Sequence, residues 1–117
     1  MQIKFMIKSN IDVSDSVKEY AEEKVSMLEK LINNENDETQ FDIEFQQEPP
    51  AGEYRADITV YSGSLRKHSV GRGETLQAAI DVAKDELERR LRRDKKKRLA
   101  VFRRGARKIK EMFRFGK

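Results

Sequence analysis

The chain opens with alternation. Ile3, Phe5 and Ile7 fall between Lys4, Met6 and Lys8, and a period of two predicts a half-buried strand. Ser14 is then placed to cap a helix, with Asp15 positioned to complement its dipole. Val17, Tyr20, Ala21, Leu28, Leu31 and Ile32 recur at helical spacing, with Lys24 or Val25 at the middle turn. Glu19, Glu22, Glu23 and Glu29 lie off that stripe, so a helix is predicted from about residue 15 to about residue 33.

Asn33, Asn34, Asn36 and Asp37 then form a polar turn. Phe41, Ile43 and Phe45 alternate with Asp42, Glu44 and Gln46, a second strand. Pro49-Pro50-Ala51-Gly52 suits neither a helix nor a ladder and reads as a loop. Tyr54, Ala56, Ile58 and Val60 alternate with Arg55, Asp57, Thr59 and Tyr61, a third strand. Ser62-Gly63-Ser64 has the length and the glycine of a hairpin turn, and residues 65 to 71 give a less clearly patterned fourth strand. Gly71-Arg72-Gly73 reads as a strand-to-helix turn. It lacks the full dinucleotide pattern, no Lys-Ser/Thr pair follows it, and Glu74 places negative charge where a phosphate would sit.

Thr75 can cap a second helix whose stripe is Leu76, Ala79, Ile80, Ala83, Leu87 and Leu91. The order β-α-β-β-β-α predicts an α+β two-layer sandwich, with an antiparallel meander and both helices on one face of a four-stranded sheet. A helix from Thr75 to Arg98 would be roughly 36 Å long, against roughly 23 Å for a seven-residue strand. The helix is therefore expected to overrun its sheet. The overhang falls on Arg92-Arg93-Asp94-Lys95-Lys96-Lys97-Arg98, where the apolar stripe has stopped.

Composition changes the picture in two ways. The 117 residues suit one domain, and 39% of them are charged, well above the about 25% of an average globular domain. The net charge of +4 is also an average over unlike parts. Residues 1–83 hold 9 Lys/Arg and 16 Asp/Glu, whereas residues 84–117 hold 16 Lys/Arg and 5 Asp/Glu, so the halves carry −7 and +11. Such asymmetry points to a polyanionic partner.

Candidate chemistry is sparse. With no cysteine and a single histidine, thiolate sites and histidine-cluster metal sites are excluded. No cofactor, metal or small-molecule substrate is expected, nor is an enzyme, because no nucleophile or oxyanion donor converges on the carboxylates. No apolar run approaches membrane-spanning length, and no charged-then-apolar segment opens the chain, so a cytoplasmic location is expected. His68, among Arg66, Lys67 and Arg72, reads as a surface histidine, with nucleic-acid contact as the sharper alternative.

The basic run is the strongest signal. Arg89 to Lys117 contains 15 Lys/Arg against two acids, Asp94 and Glu111. Packing that many cations together costs self-repulsion that phosphates would relieve. Within it Leu99, Phe102, Ala106, Ile109 and Phe113 step by three or four, with Arg103, Arg104, Arg107 and Lys108 off the stripe. This is a basic amphipathic helix, weakened at Gly105 by about 1 kcal/mol. It can fold back on the domain, dock on a protein, thread along RNA or, least expected, lie on a membrane.

Several strings in this order resemble the ribosome hibernation factors, the hibernation-promoting and ribosome-associated inhibitor proteins, over roughly residues 2–98. They are Val13-Ser14-Asp15-Ser16-Val17-Lys18-Glu19-Tyr20, Glu48-Pro49, Ala56-Asp57-Ile58-Thr59-Val60, Thr75-Leu76-Gln77-Ala78-Ala79-Ile80-Asp81 and Lys84-Asp85-Glu86-Leu87-Glu88-Arg89-Arg90-Leu91. The resemblance implies a fold similar to double-stranded-RNA-binding domains. It also implies binding to the small ribosomal subunit and its rRNA, in the channel where mRNA and tRNA lie, with translation blocked by occlusion. The family's RNA contacts on the second helix match Lys84, Arg89, Arg90, Arg92 and Arg93, and Lys95, Lys96, Lys97 and Arg98 fit the same role physically. Arg66, His68, Arg72, Arg103, Arg104, Arg107 and Lys108 are possible additional contacts. Long members carry a C-terminal dimerisation domain for which 117 residues leave no space.

The expected organisation is thus a ribosome-binding domain over 1–98 and a basic tail over 99–117, monomeric away from the ribosome. The alternative is a general RNA-binding or RNA-chaperone module. Reversing Arg89, Arg90, Arg92 and Arg93 is expected to abolish binding and leave the fold intact. Glu19, Glu22, Glu23 and Glu29 are expected to restrain nonspecific RNA binding.

Overall fold

Alternation builds the sheet. β1 (Gln2–Ile7), β2 (Thr39–Glu48), β3 (Glu53–Ser62) and β4 (Leu65–Gly73) lie side by side in chain order in a computed structural model that describes residues 1–8, 10–32, 38–48 and 52–94. β2, β3 and β4 form the antiparallel meander, with Ile58 opposite both Ile43 and Ser69. β1 pairs parallel with β2, Phe5 beside Ile43. α1 (Asp15–Ser26) connects these parallel strands. α2 occupies residues 76–94 as far as it is described. The α+β class and the β-α-β-β-β-α order are as the pattern predicts.

One core joins the layers. Val17, Ala21 and Val25 of α1 and all six residues of the α2 stripe, from Leu76 to Leu91, are buried against Phe41, Ile43, Phe45, Ala56, Ile58 and Val60 of the sheet. Both caps form as expected: Ser14 Oγ accepts from the Val17 amide at 3.2 Å and Thr75 Oγ1 from the Ala78 amide at 3.0 Å. The two helices are tied by Asp81, which accepts from the Tyr20 hydroxyl at 2.6 Å and lies 3.5 Å from Lys24 Nζ. The hydrogen bond to Asp81 holds the Tyr20 hydroxyl above its ordinary pKa, and the Asp81 charge does the same for the Lys24 ammonium.

Three expectations are corrected. The first helix stops at Ser26, not near residue 33, and a 3-10 turn (Glu29–Leu31) follows. Ser26 Oγ donates back to the Glu23 carbonyl at 2.7 Å, and Ile32 is already extended, so the chain has turned toward β2. Leu28, Leu31 and Ile32 are buried nevertheless. A spacing of three suits a 3-10 turn as well as an α-helix, so the pattern did not separate them. Ile7 is not half-buried but 43% exposed, at the end of an edge strand.

The third correction concerns Gly71-Arg72-Gly73, which completes β4 instead of forming a turn. Gly71 pairs with Ala56 and Gly73 with Tyr54. A Cβ at Gly71 would run into the Ala79 carbonyl oxygen and the Ala83 amide nitrogen, and one at Gly73 would sit 2.7 Å from the Ala78 Cβ. These glycines therefore let α2 lie close on β4. The hairpin turn is as expected, with Gly63 at φ +58°. Residues 33–37 and Pro49-Pro50-Ala51 lie outside the described residues.

The face of the sheet away from the helices carries paired charges. Arg55 donates to Asp57 at 2.7 and 3.0 Å and to Glu48 at 3.1 Å, and Arg72 Nε donates to Glu48 at 3.0 Å. Lys8 lies 2.9 Å from Glu44. The Arg72 and Arg55 guanidinium groups hold the Glu48 carboxyl below the usual carboxylate range.

Gly71→Ala should destabilise the fold by about 2–3 kcal/mol through overpacking, lowering Tm by about 10–20 °C in a thermal melt. Because the Glu48 pKa is lowered on folding, its stabilisation is complete above the unfolded value of about 4.3 and is lost as pH falls through the folded value. Wild type should therefore melt above Glu48→Gln at pH 7, and the gap should close as pH falls below the ordinary carboxylate value of about 4.3.

Candidate nucleic-acid interface

The second half of α2 carries the cations that the sequence singles out. Leu87 and Leu91 are buried and anchor this half on the sheet. α2 runs back along β4, and successive contacts record the path. Gly71 faces Ala79, Ser69 Oγ donates to the Ala83 carbonyl at 2.7 Å, and Arg90 Nη1 donates to the His68 carbonyl at 2.7 Å. Lys67 then meets Asp94 at 2.7 Å. The basic end of the helix is thus fixed beside the start of β4, next to the β3–β4 hairpin.

Most of these cations are shared with acids of the same helix. Glu86 takes Arg89 at 2.9 Å and Arg90 at 3.1 Å. Glu88 takes Lys84 at 3.4 Å and Arg92 at 3.3 Å. Burial pushes the Glu88 carboxyl up, but Lys84 and Arg92 outweigh it and hold it below the usual carboxylate range. Lys84 is mostly covered, its side chain 12% exposed, whereas Arg89, Arg92 and Arg93 face solvent. Arg93 makes no ion pair among the described residues.

Charge is distributed less evenly than the split at residue 84 implies. Residues 84–94 hold five cations and four acids, so they contribute only +1. The remaining +10 falls in residues 95–117. Lys95, Lys96, Lys97, Arg98, Arg103, Arg104, Arg107 and Lys108 lie outside the described residues, as do the overhang beyond residue 94 and the amphipathic tail.

Arg66, His68 and Arg72 do not join the α2 row. They alternate with Ser69 and Gly71 along β4 and so point to the face away from the helices. Each has a partner there. The Arg66 guanidinium stands 5.6 Å over the Tyr61 ring, His68 Nδ1 lies 2.7 Å from Thr59 Oγ1, and Arg72 is held by Glu48. His68 Nε2 is also 3.5 Å from Asp57. A shallow pocket of about 150 Å³ beside them is lined by Asp42, Glu44 and Asp57 as well as Lys4 and His68, a surface of mixed charge that gives phosphate little attraction.

Two features were missed from sequence. The pairing by Glu86 and Glu88 was legible in the i,i+3 and i,i+4 spacing of Glu86, Arg89 and Arg90, and of Lys84, Glu88 and Arg92. The Arg90 bond to the His68 carbonyl has no local signal, since it joins residues 22 apart. It sets Arg90 apart from the other arginines of the row, because that side chain donates to a carbonyl of β4. Among the described residues, no group of three His, Asp or Glu side chains could hold a metal ion, and no helix is long and apolar enough to cross a membrane.

Comparison with known proteins places this geometry. The sequence profile of the sigma 54 modulation protein / S30EA ribosomal protein family matches residues 5–99. No curated protein matches. Among solved structures, the chain is similar to the N-terminal domain of Protein Y from Thermus thermophilus, with 26% identity and a TM-score of 0.66, covering 80% of this chain and 98% of that one. A ribosomal subunit interface protein from Coxiella burnetii has the same fold at 18% identity and a TM-score of 0.65, covering 81% of this chain and 98% of that one. With the profile running from within β1 through the end of the described α2, the chain belongs to the sigma 54 modulation protein / S30EA ribosomal protein family, that of the ribosome hibernation factors.

Proposed function

We propose that this ribosome-associated protein binds the small ribosomal subunit in the mRNA and tRNA channel and inhibits translation by occupying it. The observation that carries this reading is the row of solvent-facing Arg89, Arg92 and Arg93 on a helix end pinned to β4 by Arg90 and by the Lys67–Asp94 pair. A rigid cationic edge suits a rigid array of rRNA phosphates, because little ordering remains to be done on docking. Lys84 supports the row from a partly covered position, and Lys95 to Arg98 would extend it. The remaining cations of the tail would add charge, and Arg66, His68 and Arg72 would touch RNA only if a second strand crossed the far face.

No chemistry is needed for this role. The protein acts in the cytoplasm without a cofactor, as a monomer away from the ribosome, and its effect is steric. Phosphate contacts supply the affinity, while the shape of the channel supplies the choice of site.

In co-sedimentation with small subunits, six to ten phosphate contacts should make affinity fall by roughly 10³ to 10⁵ between 50 and 200 mM salt. Reversal of Arg89, Arg92 and Arg93 to Glu, sparing Arg90, should abolish co-sedimentation while the melting curve stays close to wild type. Bound mRNA and tRNA should exclude the protein. Unchanged co-sedimentation of the triple variant would overturn the interface, and preference for free RNA over small subunits would favour a general RNA-binding module.

A further inference from the structure

The two glutamates inside the arginine row do more than stabilise a helix. Each carboxylate is shared by two cations, Glu86 by Arg89 and Arg90 and Glu88 by Lys84 and Arg92. A phosphate must therefore compete with a carboxylate already in place for almost every cation of the described row. The carboxylates also favour particular positions of the guanidinium groups, which lowers the side-chain entropy still to be lost on binding.

We propose that Glu86 and Glu88 are specificity-determining residues, which weaken binding to flexible polyanions and keep the arginine row arranged for a rigid phosphate array. The inference rests on the reading of α2 as the RNA-binding element. Two opposing effects follow from one contact. Competition lowers affinity for any polyanion. Prior ordering restores affinity only where the receptor phosphates are themselves fixed, because a flexible strand adapts to arginines in any position. The glutamates of α1 do not share this geometry. Glu19, Glu22 and Glu23 are exposed and meet no cation among the described residues. On this proposal the restraint on nonspecific binding comes from the acids of α2 more than from Glu19, Glu22, Glu23 and Glu29.

The test compares full-length wild type, Glu86→Gln/Glu88→Gln and Glu19→Gln/Glu23→Gln, the last two raising net charge equally. Glutamine is a good helix former, and thermal melts check that each variant folds. Binding is measured to poly(U), as a flexible polyanion, and to isolated small ribosomal subunits at one fixed salt concentration. The α2 variant should bind poly(U) about tenfold more tightly and small subunits less than threefold more tightly. The α1 variant should move poly(U) binding by less than threefold. Equal tightening by both variants would reduce the effect to bulk charge and overturn the proposal. So would unchanged poly(U) binding by the α2 variant, or equal tightening of that variant on both receptors. If wild type fails to bind small subunits, the ribosomal reading falls, while the poly(U) comparison still decides whether the α2 acids restrain binding.

Discussion

The contact on which the rest depends is the close approach of α2 to β4. Gly71 and Gly73 remove the side chains that would hold the helix away, and Ala79 and Ala83 keep its facing surface small. Small residues on both sides bring backbone against backbone, so Ser69 can donate directly to the Ala83 carbonyl and Arg90 can reach the His68 carbonyl. The path of the helix is thereby fixed along its whole described length. Its cationic end lies where it does because of two glycines some twenty residues earlier in the chain.

The same placement separates two electrostatic surfaces. On the face away from the helices, Glu48, Arg55, Asp57 and Arg72 satisfy one another across neighbouring strands and offer little net field. Along α2, carboxylates and guanidinium groups are also paired, but at the rim of the molecule, where Arg89, Arg92 and Arg93 remain open to solvent. Surface ion pairs of this kind contribute typically below about 1 kcal/mol each. The difference between the surfaces is therefore one of accessibility and geometry more than of the number of charges.

Much of this was legible in the sequence, and the failures share a cause. The alternating runs identified three strands, the hairpin turn placed the fourth, and the stripe from Leu76 to Leu91 identified every buried residue that α2 contributes to the core. Patterns erred where two structures share a spacing, as with Leu28 and Leu31 in the 3-10 turn, or where a residue's role is set by something distant. Gly71 and Gly73 look like a turn because glycine is common there, yet their role is to leave room for α2. The pairing of Glu86 and Glu88 was available from spacing but was overshadowed by the density of positive charge.

By itself, the sequence determined the element order, the fold class, the residues of the core and the polarity of the chain, because these follow from local periodicity and from charge that no folding can alter. Only the tertiary structure decided which cations stand together. It set Arg66, His68 and Arg72 on one face and the α2 arginines at the other side's rim, through strand register and helix packing. Adjacency in space depends on how the layers close on one another. A linear pattern records which face of its own element a residue occupies, but not what that face will meet.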